Sequence, residues 1–231
     1  MGGEDFHSNG IHLGVIEAAD DPVAESWRNI NAINDLILEV LTCTSHLTVS
    51  AVQGNAGAGG AVFALACDYV AARSGRIFNP HYKTMGLRGS EYWTYLLPRR
   101  IGTAAAHRLT ESCLPISAEN ACEIGLVDVL IDAGGAGFMA RLASCLHDWC
   151  EPTKFAGLLR LKREALPDAA VLQQYRLDEL AQMRMDFKGT AYQASRKAFV
   201  FKAMPTETPS HLAPHRRRTA DHRVEELHEA E

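Results

Sequence analysis

Apolar residues Val23, Trp27, Ile30, Ile33, Ile37, Val40 and Leu41 recur at three- and four-residue spacing behind Asp21-Pro22, which reads as an N-cap and a first helical residue. That pattern predicts a long amphipathic helix. Upstream, Ile11, Leu13 and Val15 alternate with other residues, which predicts a loop feeding a short strand. Downstream, 47–52 (Leu-Thr-Val-Ser-Ala-Val) reads as a strand, Gly54 as a turn, and 59–66 as a resumed helix. Two more short strands follow at 69–72 and 76–78, broken by Ser74-Gly75, and then helices at 91–97 and 103–109. The run Pro115-Ile-Ser-Ala-Glu-Asn-Ala supplies a capped helix stopped at Gly125, and 127–131 is a strand.

This alternation argues for an α/β sheet with crossovers. From Gly134 onward the strand signals vanish, and helices are expected over 136–150, 153–165, 168–187 and 191–203. The text changes again at 205–231: prolines, the basic run Arg216-Arg-Arg218 and an acidic end predict a flexible charged tail. The chain thus divides into 1–133, 134–204 and 205–231.

Composition narrows the partners. With 231 residues, 47% of them hydrophobic, the chain can bury one substantial core with an appendage. A formal net charge of −5 leaves no basic footprint for nucleic acid, and no apolar run approaches the roughly 18 residues of a membrane span. Small molecules or proteins are the expected partners. Six cysteines show no Cys-x-x-Cys and no regular framework, so reduced, buried thiols in a cytoplasmic protein are expected. The N-terminus has neither a basic stretch nor an apolar core that would mark it for secretion.

The chemistry concentrates in Gln53-Gly-Asn-Ala-Gly-Ala-Gly-Gly-Ala-Val62. A Walker-type loop needs Lys-Ser/Thr after its last glycine, and Ala61-Val62 stand there. A dinucleotide fingerprint needs Gly-x-Gly-x-x-Gly, and neither the order of these glycines nor any acidic residue about 20 positions on supplies it. Two readings remain level on these residues alone. In one, the glycines bring helix-start amides close to a ligand oxyanion; in the other, they merely let a strand and a helix pack tightly.

The order of motifs along the chain resembles the crotonase (enoyl-CoA hydratase/isomerase) superfamily. Those motifs are a strand, Gly54-x-Ala56-x-x-Gly59-Gly60, a helix ending at Cys67-Asp68, a strand, Gly86, Ile101-Gly102, and Ile116-Ser-Ala-x-x-Ala121-x-x-x-Gly-Leu-Val-Asp128. His7-Ser-Asn-Gly-Ile-His-Leu13 also resembles the family's first loop, and the resemblance covers roughly residues 6 to 150. It implies an α/β fold with a crotonase-like ββα spiral core, partial because the first strands are missing, and a helical C-terminal region. It also implies an oxyanion hole from the backbone amides of Ile11 and Gly59, which would stabilise charge developing on a thioester carbonyl.

The two glutamates that a hydratase of this family uses correspond to Val62 and Tyr82, so addition of water is not expected. Instead the block 78–102, with Gly89-Ser-Glu-Tyr-Trp93 and with 8–13, resembles the C-terminal region of the HypX (HoxX) hydrogenase-maturation proteins. Those proteins join a formyltetrahydrofolate-handling domain to a crotonase-like domain. The resemblance implies formyl-CoA as substrate, coenzyme A as product, and carbon monoxide released for the nickel-iron site of hydrogenases. Its implied partners are a formyltetrahydrofolate-dependent transferase domain, upstream or on a separate chain, and the hydrogenase-maturation machinery. On this resemblance the chain begins inside the second module and reads as a fragment, a split gene product or a mis-started frame.

The same resemblance gives Tyr82 and Glu91 proton-handling roles beside Ile11 and Gly59, and places Asn9, Gly10, Gly57, Gly60, Arg88 and Ser90 around the CoA thioester. Glu91 also stands at an expected helix start, where a carboxylate caps amides and suits the dipole. Tyr92, Tyr95, Trp27 and Trp93 read as packing residues, and Cys67 carries no expected chemistry. His12 and His81 lie next to the expected pocket without a metal-binding pattern. Arg88, Arg99 and Arg100 could meet CoA phosphates or simply be solvated. Two alternatives stand beside formyl-CoA cleavage: another acyl-CoA isomerase or lyase reaction with Glu91 as single base, and an inactive truncated binding module.

Overall fold

A computed structural model of the chain describes residues 2–200. Its elements in chain order are β1 (Phe6–Ser8), α1 (Leu13–Ala18), α2 (Pro22–Thr42), β2 (Val49–Val52), β3 (Asn55–Gly57), α3 (Gly59–Leu65), β4 (Tyr69–Arg73) and β5 (Ile77–Asn79). A 3-10 turn (Tyr82–Met85) leads to α4 (Trp93–Ile101), α5 (Thr103–Ser112), β6 (Ile116–Ser117), α6 (Ala118–Glu123) and β7 (Val129–Ile131). Four helices follow: α7 (Gly135–Trp149), α8 (Pro152–Ala165), α9 (Ala169–Asp186) and α10 (Thr190–Val200).

The strands sort into two sheets, β1-β3-β5-β6 and β2-β4-β7. Strands β1 to β5 alternate between them, and β6 then returns to the first sheet antiparallel to β5. β2 lies parallel to β4 with Val49 opposite Tyr69, while β3 lies parallel to β5 with Ala56 opposite Phe78. The pairs β2–β3 and β4–β5 therefore each give one strand to each sheet before the chain turns helical, which is the ββα repeat of a spiral fold. The second sheet carries the small residues Ala51, Ala71 and Ala72, and all three are buried.

Helix α2 begins where the sequence predicts. The Asp21 carboxylate accepts from the amides of Val23 and Ala24, both at 3.0 Å, and Pro22 fills the first turn, whose missing N–H costs nothing there. Its buried stripe, Ser26, Ile30, Asn34 and Ile37, faces one hydrophobic core that also takes Val52, Val62, Phe78, Leu180, Met183 and Phe187. Helix α9 thus shares the core of the sheets.

Two local expectations change. Residues 13–18 are helical rather than a loop into a strand, because the His12 ring caps the Val15 amide at 3.1 Å and Ile16 turns into the core. The strand of this region lies earlier, at Phe6–Ser8. The glycine run also contains a three-residue strand, β3, which has no β-branched residue to announce it. The expected tail at 205–231 and the last residues of the helix expected over 191–203 lie outside the described residues. Among the described residues no helix is long and apolar enough to cross a membrane.

Candidate active site

A cavity of about 600 Å³ opens between the 9–14 loop, the start of α3, the 3-10 turn and the segment before α4. Glycines set how closely these pieces approach. Gly10 has φ +79°, and a Cβ there would stand 3.0 Å from the Gly59 nitrogen. A Cβ on Gly59 would stand 2.2 Å from Oε1 of Glu91. Any larger residue at either place would push the loop, the helix start and the carboxyl apart. Gly59 opens α3, so its N–H belongs to a first turn that has no partner within the helix. The residue before it, Ala58, is held at φ +45°, a conformation that a non-glycine residue adopts only when its surroundings enforce it.

Glu91 enters the cavity from a second strained segment. Glu91 (φ +66°) and Tyr92 (φ +60°) are both left-handed, so they precede α4 and do not form its first turn. The expected helix start at Glu91 is therefore wrong, and so is its expected capping role. The cap comes from α9. One carboxylate oxygen of Glu179 accepts from the Tyr92 amide at 2.8 Å, and the other accepts from the Thr94 amide at 2.9 Å and the Thr94 hydroxyl at 2.5 Å. From α2, Asn34 accepts from the Glu91 amide at 2.9 Å and donates to the Ser90 hydroxyl at 2.8 Å. The Ser90 amide donates to Oε2 of Glu91 at 3.0 Å.

Electrostatics follow from this burial. Glu91 and Glu179 are 2% and 4% exposed. Loss of solvation, then the charge of Glu179, raises the Glu91 carboxyl to about 7. Loss of solvation also raises Glu179 to about 7, against the pull of its hydrogen bonds. Tyr82 is pushed well above the ordinary phenol value by burial and by both carboxyls. Its hydroxyl faces Glu91, and among the described residues it has no hydrogen-bond partner of good geometry.

Of the residues expected from the sequence, Ile11, Gly59, Tyr82, Glu91, Asn9 and Gly10 line this one cavity, together with His12 and His81. Gly57, Gly60, Ser90 and Arg88 do not. Gly57 makes room for Asn9 and His81, since a Cβ there would meet the Asn9 side chain at 2.7 Å. Gly60 lets α3 lie on β1, with the Ser8 carbonyl 2.1 Å from where its Cβ would be. Arg88 is turned to α9, its side chain on Gln182 and Asp186 and its amide on Asp186 at 2.8 Å. Arg99 lies over the Tyr95 ring, and Arg100 pairs with Asp128 at 2.8 Å. Trp27 and Trp93 pack against the core, and burial raises the Cys67 thiol to about 11, which suits a packing role.

The sequence reading missed Asn34, Glu179 and the apolar wall of Ile30, Met183 and Phe199. Asn34 carried a signal: it is a polar residue on the buried stripe of α2, between Ile30 and Ile37. Glu179 carried none, because one glutamate among the charged residues of α9 looks like a solvated position.

The family model described as Enoyl-CoA hydratase/isomerase matches residues 1–206. The chain belongs to the enoyl-CoA hydratase/isomerase family. Within that family it is 45% identical over 225 residues to hydrogenase maturation factor HoxX of Bradyrhizobium diazoefficiens, across 95% of this chain and 40% of HoxX. The crystal structure of HypX from Aquifex aeolicus in complex with tetrahydrofolic acid superposes with a TM-score of 0.87 at 42% identity, covering 93% of this chain and 39% of HypX. An enoyl-CoA hydratase from Bacillus halodurans shares the fold, with a TM-score of 0.70 at 24% identity. The chain therefore spans about two fifths of the length of its hydrogenase-maturation relatives. Proteins of this family bind CoA thioesters. Val62 is 1% exposed, packs in the hydrophobic core and does not line the cavity.

Proposed function

We propose that the cavity binds formyl-CoA and releases carbon monoxide from it. The carbonyl oxygen lies at the amides of Ile11 and Gly59, and Tyr82 and Glu91 carry the proton. In the reaction HC(=O)–S–CoA becomes CO and HS–CoA: the formyl C–H and C–S bonds break, and an S–H bond forms. The proton lost by carbon is the one gained by sulfur, so the site needs groups that accept and donate a proton and needs no activated water. The observation that carries this reading is that one carboxyl and one phenol, Glu91 and Tyr82, line the cavity beside Gly59. A carboxyl near 7 populates both protonation states at neutral pH, which suits a relay.

The name of HoxX and the tetrahydrofolic acid held by HypX support a place in hydrogenase maturation downstream of a formyltetrahydrofolate-dependent transferase domain. The test is carbon monoxide release from formyl-CoA by the chain and by E91Q and Y82F. Loss of roughly 100-fold or more in E91Q is expected, the usual size of a general acid–base contribution. Equal release by wild type and both variants would discard the assignment. Conversion of an enoyl-CoA, without carbon monoxide from formyl-CoA, would move the chain to isomerase chemistry with Glu91 as its single base.

A further inference from the structure

We propose that Glu179, on α9, is a positioning residue of this site, holding the left-handed Glu91–Tyr92 turn so that the Glu91 carboxyl lies over Gly59. The inference rests on the proposed use of Glu91 as a proton carrier.

The geometry is that of a clamp. Two consecutive non-glycine residues in the left-handed region cost about 1–2 kcal/mol each, so the turn persists only where its surroundings fix it. Glu179 fixes the far side through three hydrogen bonds to Tyr92 and Thr94. The same helix fixes the near side, where Asp186 accepts from the Arg88 amide at 2.8 Å. Met183, between these two carboxylates, forms part of the cavity wall. Positions 179, 183 and 186 share one face of α9, so a single helix stripe grips the 88–94 segment at both ends and closes the cavity between.

The clamp also decides which carboxyl keeps a proton. Glu179 accepts three hydrogen bonds and Glu91 accepts one, so when two buried carboxyls repel each other the first negative charge settles on Glu179. Glu91 then holds its proton above the ordinary carboxylate range. The titratable groups facing Glu91 are Glu179 from α9 and Tyr82 from the 3-10 turn; α2 presents the uncharged Asn34, and His12 and His81 line the same cavity.

The test is a pH titration of the substrate-free full chain by infrared difference spectroscopy, following the protonated carboxyl band that E91Q removes. In E179Q the Glu91 band is expected to vanish at a pH lower by about one unit, the size of a lost like-charge neighbour. Thr94→Val takes one donor from Glu179 and no charge, so it shifts the band in the same direction by less. A Glu91 band that titrates as in wild type in Thr94→Val and, where it folds, in E179Q would overturn the inference. Because no substrate is used, that outcome is separable from a failure of wild type to release carbon monoxide, which would overturn only the reaction assignment.

Discussion

Gly59 and Glu91 occupy each other's space: a single carbon added to Gly59 would fall 2.2 Å from Oε1 of Glu91. The main-chain amide that opens α3 and the carboxyl that enters from before α4 are thus set by one contact. Gly59→Ala should cost about 1–3 kcal/mol of stability through overpacking and should lower turnover of a CoA thioester at least about tenfold. Thermal unfolding and steady-state kinetics on the same preparation check it. Wild-type turnover in a folded variant would mean that Glu91 can work from another position.

Stability should fall as pH rises through the window set by the buried carboxyls. In the unfolded chain a glutamate gives up its proton near 4.5, whereas in the folded chain Glu91 keeps its own to about 7. Between those values the native state binds protons that the unfolded state has lost. Stability therefore declines across the interval and levels off above it. The decline should be about 3 kcal/mol, and E91Q should flatten it. Denaturant melts at pH 5 and pH 8 measure it; an unchanged difference in E91Q would show that other groups set the slope.

Asn34→Ala should destabilise the chain by about 1–3 kcal/mol, because the Glu91 amide and the Ser90 hydroxyl lose a buried partner. It should also weaken turnover by freeing the turn. Urea unfolding and kinetics together check it, and a loss of stability with wild-type turnover would assign Asn34 to folding alone.

Val62→Glu should not restore hydratase activity. Val62 packs in the core, 1% exposed, and does not reach the cavity, so the added carboxyl is buried without a partner. A loss of several kcal/mol is expected, or a neutral carboxyl at neutral pH. The checks are the melting temperature and hydration of an enoyl-CoA. Hydration above wild type would show that α3 can turn this position towards the ligand.

Much of the fold was legible because its signals are local. Asp21-Pro22 and the stripe behind it mark α2, Ser117 caps α6 by accepting from the Asn120 amide, and the glycines before α3 mark a close approach whatever its purpose. The turn at Glu91–Tyr92 was illegible for the opposite reason. Neither residue is a glycine, both suit a helix, and their left-handed backbone is imposed by Glu179 and Asn34, which lie far away in sequence. Motif order brought Ile11, Gly59, Tyr82 and Glu91 to one cavity, but it could not show that Arg88 is spent on α9.

The distance between Tyr92 and Glu179 has a consequence for how the molecule comes into being. The carboxylate that caps α4 stands 87 residues beyond the amide it receives, so the turn stays free to take ordinary conformations until α9 docks. Contacts of such long range form late, after the local helices and neighbouring strands. The reactive corner is therefore complete only once α9 has docked, and a chain that has not yet placed α9 does not carry the strain of the finished site.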